Sequence, residues 1–354
     1  MFIRAGLNSL VARPRLLASS LLVLAASGLL YTRQSLNNSS PPSSPSASSL
    51  TPVDDLETPL HTPDSARPFV SAMASNLTIS STLKLNTGYE IPQLGFGVFQ
   101  IDNDGCTDAC LAAFQAGYRH IDSAVYYQNE AGVGKALRQS GLKREEVFIT
   151  SKILSMMVQG YDSTLKAVDR SLQQAGLDYY DLYLIHDPLS GKERRINMWK
   201  GLVQKQKEGK IRTIGVSNFG VRHLKEIKAA GLPLPAVNQV ELHPYCQQRD
   251  IVKFCEDNGI VVEAYSPLIR GKVDPTDAIS RIAASKKNVD AFQILVRWSL
   301  QKGYVPLPKS QRPAKIRHNA NVYDFELPAE EMAAIDALDR GAQGAVMWNP
   351  TSAP

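Results

Sequence analysis

The sequence predicts a (β/α)8 TIM barrel, preceded by a short β-hairpin and, before that, by a disordered or targeting N-terminal segment. Three patterns predict it. Eight short apolar runs alternate with stretches whose apolar positions recur at three and four residues. The runs are apolar throughout, as strands covered on both faces are. Nearly every run ends in a polar or ionisable residue, and the C-terminal strand ends are where a barrel builds its chemistry.

In chain order, TISSTLKL (78–85), the turn residues Asn86-Thr87-Gly88 and EIPQLG read as a hairpin, because Asn and Gly supply turn conformations. The candidate strands are GFGVF (95–99), YRHID (118–122), VFITSK (147–152), DLYLIH (181–186), IRTIGVS (211–217), VNQVEL (237–242), IVVEAYS (260–266) and YVPLPKS (304–310). Helical patterns between them include Cys106–Ala116, Ser163–Ala175, Trp199–Glu208, Ile251–Asn258 and Ala291–Gln301. A single series of eight such units favours a closed barrel over an open, doubly wound sheet. An open-sheet dinucleotide fingerprint is also missing, since Gly95-Phe96-Gly97 lacks its third glycine, and there is no Walker A motif.

The expected barrel spans 76–354, roughly the size such a fold needs. Apolar content of 44% and charged content of 21% suit a chain with a sizeable core. The net charge of +5 is concentrated before the barrel. Arg4, Arg13, Arg15 and Arg33 precede the first carboxylate, Asp54, and the rest is close to neutral. Nucleic-acid binding, which needs basic charge on the folded part, is not expected. Cys106, Cys110, Cys246 and Cys255 form no CxxC pair and have no His-rich companion, so no metal site is expected and reduced, packed thiols are.

Residues 1–35 read as a targeting or membrane-associated segment. The apolar run at 16–31 follows arginines and is shorter than the about 20 residues a spanning helix wants. A mitochondrial presequence is favoured by the Arg-rich, acid-free composition; a secretory signal or anchor, or a cytoplasmic product started at Met73, stays open. Residues 36–75, rich in Ser and Pro, read as a disordered linker. Asn37, Asn38 and Asn76 begin N-x-S/T triplets, which arise easily in such sequence.

The polar strand ends are Asp122, Lys152, His186, Ser217-Asn218, Gln239, Tyr265-Ser266 and Lys309-Ser310. A buried acid beside a buried base costs several kcal/mol unless the two pair, so these are seldom packing choices. With their surroundings they resemble a family. YRHIDSAVYYQNE (118–130), FITSK (148–152), YLIHDP (183–188), IGVSNF (214–219), VNQVELHPY (237–245), AYSPL (264–268) and PKS (308–310), in that order, are similar to the aldo-keto reductases over about residues 80–345.

The resemblance implies NADPH-dependent reduction of aldehydes or ketones to alcohols by a monomer, with Asp122, Tyr127, Lys152 and His186 as a catalytic tetrad. Tyr127 is the acid by the family spacing, five residues after the Asp. A free tyrosine, with a pKa near 10, is a poor donor at neutral pH. An ammonium at roughly 4 Å stabilises a phenolate by about 4 kcal/mol at an effective dielectric of 20, so Lys152 is expected to lower the Tyr127 pKa by a few units. Asp122 would keep Lys152 protonated, and His186 would hydrogen-bond the substrate carbonyl.

For the cofactor, the family pattern puts Ser217, Asn218 and Gln239 on the nicotinamide carboxamide and Tyr265 on the ring face. Ser266 and Leu268 are carried over as further cofactor residues, and Lys309 and Ser310 as the grip on a ribose 2′-phosphate. Asn319 matches the family, whereas Lys315 stands for an Arg and His318 for an acid. Lys keeps the charge without the planar fork, so NADH is expected as a weaker alternative. Phe99, His186, Asp187 and Trp348 are the candidate substrate contacts. Asp187 replaces a common Trp and reads either as an acid that makes the pocket polar and poor for anions, or as a solvent-facing loop acid. The stretch from Tyr265 to Lys309 lacks the long insertion of mammalian members, which implies faster cofactor exchange. Two other classes stay open: an NADPH-binding regulatory barrel with little turnover, like the potassium-channel β subunits, and a barrel using Lys152 as a Schiff-base lysine.

Overall fold

The computed structural model of the protein describes residues 77–354. The expected targeting segment and linker lie outside the described residues.

The chain enters through a hairpin. Strand β1 (Thr82–Lys84) pairs antiparallel with β2 (Glu90–Pro92), Leu83 opposite Ile91. Gly88, at φ 88°, turns the chain where a side chain would be strained, and the Leu85 amide closes the loop on the Tyr89 carbonyl at 2.8 Å. Leu85 and Ile91 are buried with Phe148, Leu182, Val237 and Val305. The hairpin is therefore an apolar plug at the N-terminal end of the barrel.

Eight parallel strands follow: β3 (Phe96–Gly97), β4 (His120–Asp122), β5 (Phe148–Ile153), β6 (Tyr180–Ile185), β7 (Ile211–Ser217), β8 (Val237–Glu241), β9 (Val261–Tyr265) and β10 (Val305–Pro306). Each pairs with its neighbour in sequence. The circle closes where the Gly95 amide donates to Pro306 O at 3.1 Å and the Gly97 amide to Pro308 O at 3.2 Å. A side chain at Gly95 would run into Leu307 and His120, so closure at that point requires glycine. The first and last strands are shorter than their apolar runs. Pro306 and Pro308 have no N–H for a ladder, so that edge keeps only what their carbonyls accept.

Helices cover the outside. They are α1 (Asn103–Gln115), α2 (Glu130–Ser140), α3 (Tyr161–Ala175), α4 (Lys192–Lys207), α5 (Val221–Ala229), α6 (Arg249–Asp257), α7 (Ala278–Ser285), α8 (Ala291–Gln301), α9 (Pro313–Ala320) and α10 (Ala329–Asp336). Their starts have local causes. The Asp102 side chain accepts from the Gly105 amide at 2.7 Å, and Asp290 accepts from the Phe292 and Gln293 amides. Helix α4 begins well before the expected Trp199. Its first turns are polar, but Arg195 is buried there, bonded to Glu226 and the Pro188 carbonyl, which apolar periodicity does not register. Trp199 itself is fully buried, with its Nε1 on Pro233 O at 2.9 Å. Burying one large apolar side chain contributes about 1.5–3 kcal/mol, and the layer between helices and strands holds dozens of them. No helix among the described residues is long and apolar enough to cross a membrane.

Candidate active site

Inside the barrel, alternate residues of each strand point inward, and the polar strand ends meet at the C-terminal mouth. Asp122 ends β4, and the chain then makes a single helical turn, Val125–Tyr127, that returns Tyr127 over the mouth. That turn is held by Asn129, which is fully buried: its Nδ2 donates to Val98 O and Ile101 O, and its Oδ1 accepts from Ser123 Oγ. Lys152 lies on β5 and His186 directly follows β6.

The ammonium of Lys152 is completely buried. It donates to Asp122 Oδ1 at 2.7 Å, to the Ser123 carbonyl at 2.8 Å and to the Tyr127 hydroxyl at 3.3 Å. Burial disfavours the charged amine, but Asp122 and Tyr127 outweigh it and hold the Lys152 pKa above its usual value. An amine so enclosed and protonated is a poor Schiff-base nucleophile.

The Tyr127 ring lies 5.7 Å from the His186 ring, edge to face, and 5.0 Å from the Phe99 ring. Burial, ahead of Lys152, keeps His186 well below its ordinary pKa, so the imidazole is neutral. The expected lowering of the Tyr127 pKa is overturned. Lys152 does pull the phenol down, but burial pushes it up by more, and the net shift is upward.

The candidate cofactor residues cluster beside this group. Asn218 adopts φ 63° after β7. Its Nδ2 donates to His186 O at 3.0 Å and to Ser217 Oγ at 3.2 Å, and its Oδ1 accepts from the Tyr265 hydroxyl at 2.9 Å. That hydroxyl also lies 3.1 Å from Trp348 O, so the C-terminal segment reaches the edge of the Tyr265 ring. Gln239 Nε2 donates to Asp122 Oδ2 at 2.9 Å and to Glu263 Oε2 at 2.8 Å. Ser266 is left-handed at φ 53°, and the Leu268 carbonyl accepts from the Gly271 amide.

Lys309 is half-buried and pairs with no carboxylate among the described residues; burial and then Arg270 depress its pKa. Ser310 Oγ accepts from the Arg312 amide at 3.2 Å. Lys315 is placed differently, with its Nζ 3.8 Å from Asp290, the residue that also bonds His318 at 2.7 Å. Asn319 is buried on α9.

Asp187 fits neither of its two readings. It is buried, not solvent-facing, and its carboxylate is consumed by the Ser155 amide at 2.9 Å, the Ser155 hydroxyl at 2.5 Å and the Leu189 amide at 3.0 Å. It ties the loop after β5 to the loop after β6. Trp348 is 45% exposed near the mouth.

Two residues escaped the sequence reading. Glu263, two positions before Tyr265 on the same face of β9, is fully buried, and an acid inside an apolar strand was its visible signal. Arg270 lies in the loop after β9 at φ 52°, donates to Met347 Sδ and Gln100 Oε1 with no carboxylate partner among the described residues, and carried no pattern.

The model of the aldo/keto reductase family matches residues 93–340. The chain belongs to that family. This aldo/keto reductase is 45% identical to the glyoxal reductase of Bacillus subtilis over 264 residues, 74% of this chain and 94% of the relative. It is 44% identical to the 9,11-endoperoxide prostaglandin H2 reductase of Trypanosoma cruzi over 259 residues, covering 72% and 90% of the two chains. Among solved structures, an aldo/keto reductase from Brucella melitensis is 43% identical with a TM-score of 0.71, covering 75% of this chain and all of that one. A Bombyx mori aldo-keto reductase in complex with NADP is 30% identical with a TM-score of 0.71, covering 78% and 99%. The protein is an oxidoreductase, and carbonyl reduction is its class of reaction.

Proposed function

We propose that this enzyme reduces an aldehyde or ketone to the alcohol with NADPH, Tyr127 supplying the proton. The observation that carries the reading is the continuous chain from Asp122 through the Lys152 ammonium to the Tyr127 hydroxyl, with the His186 ring beside it.

When bound, the cofactor supplies the hydride. The protein's own groups do the rest. Tyr127, a phenol that is protonated at neutral pH and that burial raises further, gives its proton to the carbonyl oxygen as negative charge develops there. The resulting phenolate stands against the Lys152 ammonium, whose charge Asp122 maintains. His186 is neutral, and its buried Nδ1 has no partner among the described residues. The proton then belongs on Nε2, because a buried N–H without an acceptor is costly, and Nε2–H can donate to the same carbonyl oxygen.

The residues at hand suit a phosphorylated dinucleotide. Lys309 and Arg270 are cations without carboxylate partners among the described residues, on one side of the mouth, and they match a phosphate-bearing ligand. Asn218, Ser217 and Gln239 offer carboxamide partners, and Tyr265 offers a ring face. Lys315, held toward Asp290, would contribute less.

The rim suggests the rest of the substrate. Of the seven exposed large apolar side chains among the described residues, all but Tyr89 follow strand ends or belong to the C-terminal segment: Tyr126, Met156, Met157, Tyr161, Leu189 and Trp348. Such clustering marks a binding surface for an apolar group.

The test is NADPH oxidation followed with carbonyls ranging from glyoxal to long-chain and aryl aldehydes, with NADH in parallel. Turnover by wild type and its loss in Tyr127→Phe is expected; equal rates in both would remove Tyr127 as donor, and no turnover with any carbonyl would remove the function.

A further inference from the structure

We propose that Glu263 is a positioning residue for the nicotinamide: together with Asp122 it takes the amide hydrogens of Gln239 and so fixes which end of that amide faces the cofactor. The inference rests on the NADPH reading above. It concerns a residue one layer beneath the mouth that contacts neither substrate nor cofactor.

Gln239 Nε2 has two hydrogens and two acceptors, Asp122 Oδ2 at 2.9 Å and Glu263 Oε2 at 2.8 Å. With both hydrogens committed, the amide cannot turn over without breaking two bonds to carboxyl groups in an interior from which water is excluded. No described residue donates to Gln239 Oε1, and that oxygen is left to accept from a carboxamide N–H. Asp122 by itself leaves the second hydrogen without a partner. Its other oxygen is turned to the Lys152 ammonium, while the second amide hydrogen of Gln239 points to Glu263. Removing Glu263 leaves one amide hydrogen unpaired and the amide plane held by a single bond to Asp122, so the amide can tilt about that bond and carry Oε1 off the line to a carboxamide N–H.

The surroundings favour the protonated form of Glu263 at neutral pH. The groups around it are Asp122 and His120 on β4, Lys152 on β5, Gln239 on β8, and Val305, its partner on β10. Burial, and then Asp122, push its carboxyl up to about 8, while burial takes His120 down to about 3. The protonated acid accepts from Gln239 on Oε2, and its Oε1 lies 3.5 Å from the neutral His120 ring. Only one negative charge, that of Asp122, then faces Lys152.

The experiment compares wild type, Glu263→Gln and Glu263→Met by NADPH fluorescence titration and by steady-state kinetics. E263M keeps the side-chain length without an acceptor; replacing a buried ionisable group by a packed apolar one is often neutral for folding. E263Q keeps an acceptor for Gln239. The expected result is an NADPH Kd and KM about tenfold higher in E263M with kcat changed by less than about threefold, and rescue to within about twofold in E263Q, the size of one lost hydrogen bond. An E263M that binds NADPH as wild type does, or an E263Q that loses as much as E263M, overturns the positioning role. Should E263M not fold, E263Q decides, since a tenfold loss there contradicts the retained acceptor and near-wild-type binding supports it. A wild type that binds no NADPH overturns the cofactor reading and this role together; a wild type that binds it beside an indifferent E263M overturns this role alone.

Discussion

The ammonium of Lys152 lies 3.3 Å from the hydroxyl of Tyr127 and 2.7 Å from Asp122 Oδ1, so one buried charge is shared between the acid that stabilises it and the phenol it serves. Removing the phenol hydroxyl leaves that charge paired with Asp122. Tyr127→Phe is therefore expected to fold and bind NADPH normally while losing about 10²–10⁴-fold in kcat for reduction, measured by absorbance and fluorescence. Lys152→Met leaves Asp122 buried without its partner and is expected to cost about 3–5 kcal/mol of stability as well as activity.

Because the net shift of Tyr127 is upward, the protonated phenol persists through neutral pH. Carbonyl reduction is expected to hold level there and to decline only in alkaline solution, whereas alcohol oxidation, which needs the phenolate, rises with pH. A reduction rate that already falls across neutral pH would show a phenol lowered by Lys152 instead.

Stability has its own pH signature. Glu263 is raised in the folded state to about 8, above its unfolded value, so its contribution is complete at pH below the ordinary carboxylate range and is lost as pH rises through about 8. Over that window the folded state holds a proton the unfolded state has released, and stability falls by up to about 1.4 kcal/mol per pH unit. The denaturant midpoint of wild type relative to that of Glu263→Gln should fall as pH rises from 5 to 9; the buried histidines His120, His186 and His223, held down in both proteins, cancel in that difference.

Asp187 fastens two loops of the mouth through Ser155 and Leu189. Asp187→Ala strands these buried donors, and a loss of about 2–3 kcal/mol is expected in urea unfolding. Since the carboxylate is turned away into those bonds, the ratio of kcat/KM for anionic and neutral aldehydes should be unchanged in Asp187→Asn.

Among the described residues no carboxylate pairs with Lys309, and Arg270 adds to its unfavourable field. Lys309→Ala is expected to weaken NADPH binding about tenfold or more and NADH binding little, so that the preference ratio collapses, with wild-type NADPH affinity falling as salt is raised. Equal losses for both cofactors would place Lys309 elsewhere than at a 2′-phosphate.

Much of this architecture was legible beforehand. The run at 211–217 and the helix at 291–301 fall where the structure has them, and the hairpin turn at Asn86-Thr87-Gly88 follows from backbone preferences. Other strands drift by a residue or so, and the two at the seam shrink because prolines interrupt their ladder. Helix α4 was read short because Arg195 is buried by its bonds to Glu226 and Pro188, a pairing of residues far apart in the chain.

What the sequence determined by itself is the order of apolar runs and helical stretches and the residue types at their ends, since both are written in local periodicity and backbone preference. Tertiary structure decided how those ends behave. It closed the ring through Gly95 and Gly97, turned Asp187 inward, drew Lys315 to Asp290, placed Glu263 under Gln239 and raised Tyr127 when its lysine alone would lower it. The physical reason is that desolvation and through-space charge depend on neighbours contributed by other strands, and no window along the chain contains them.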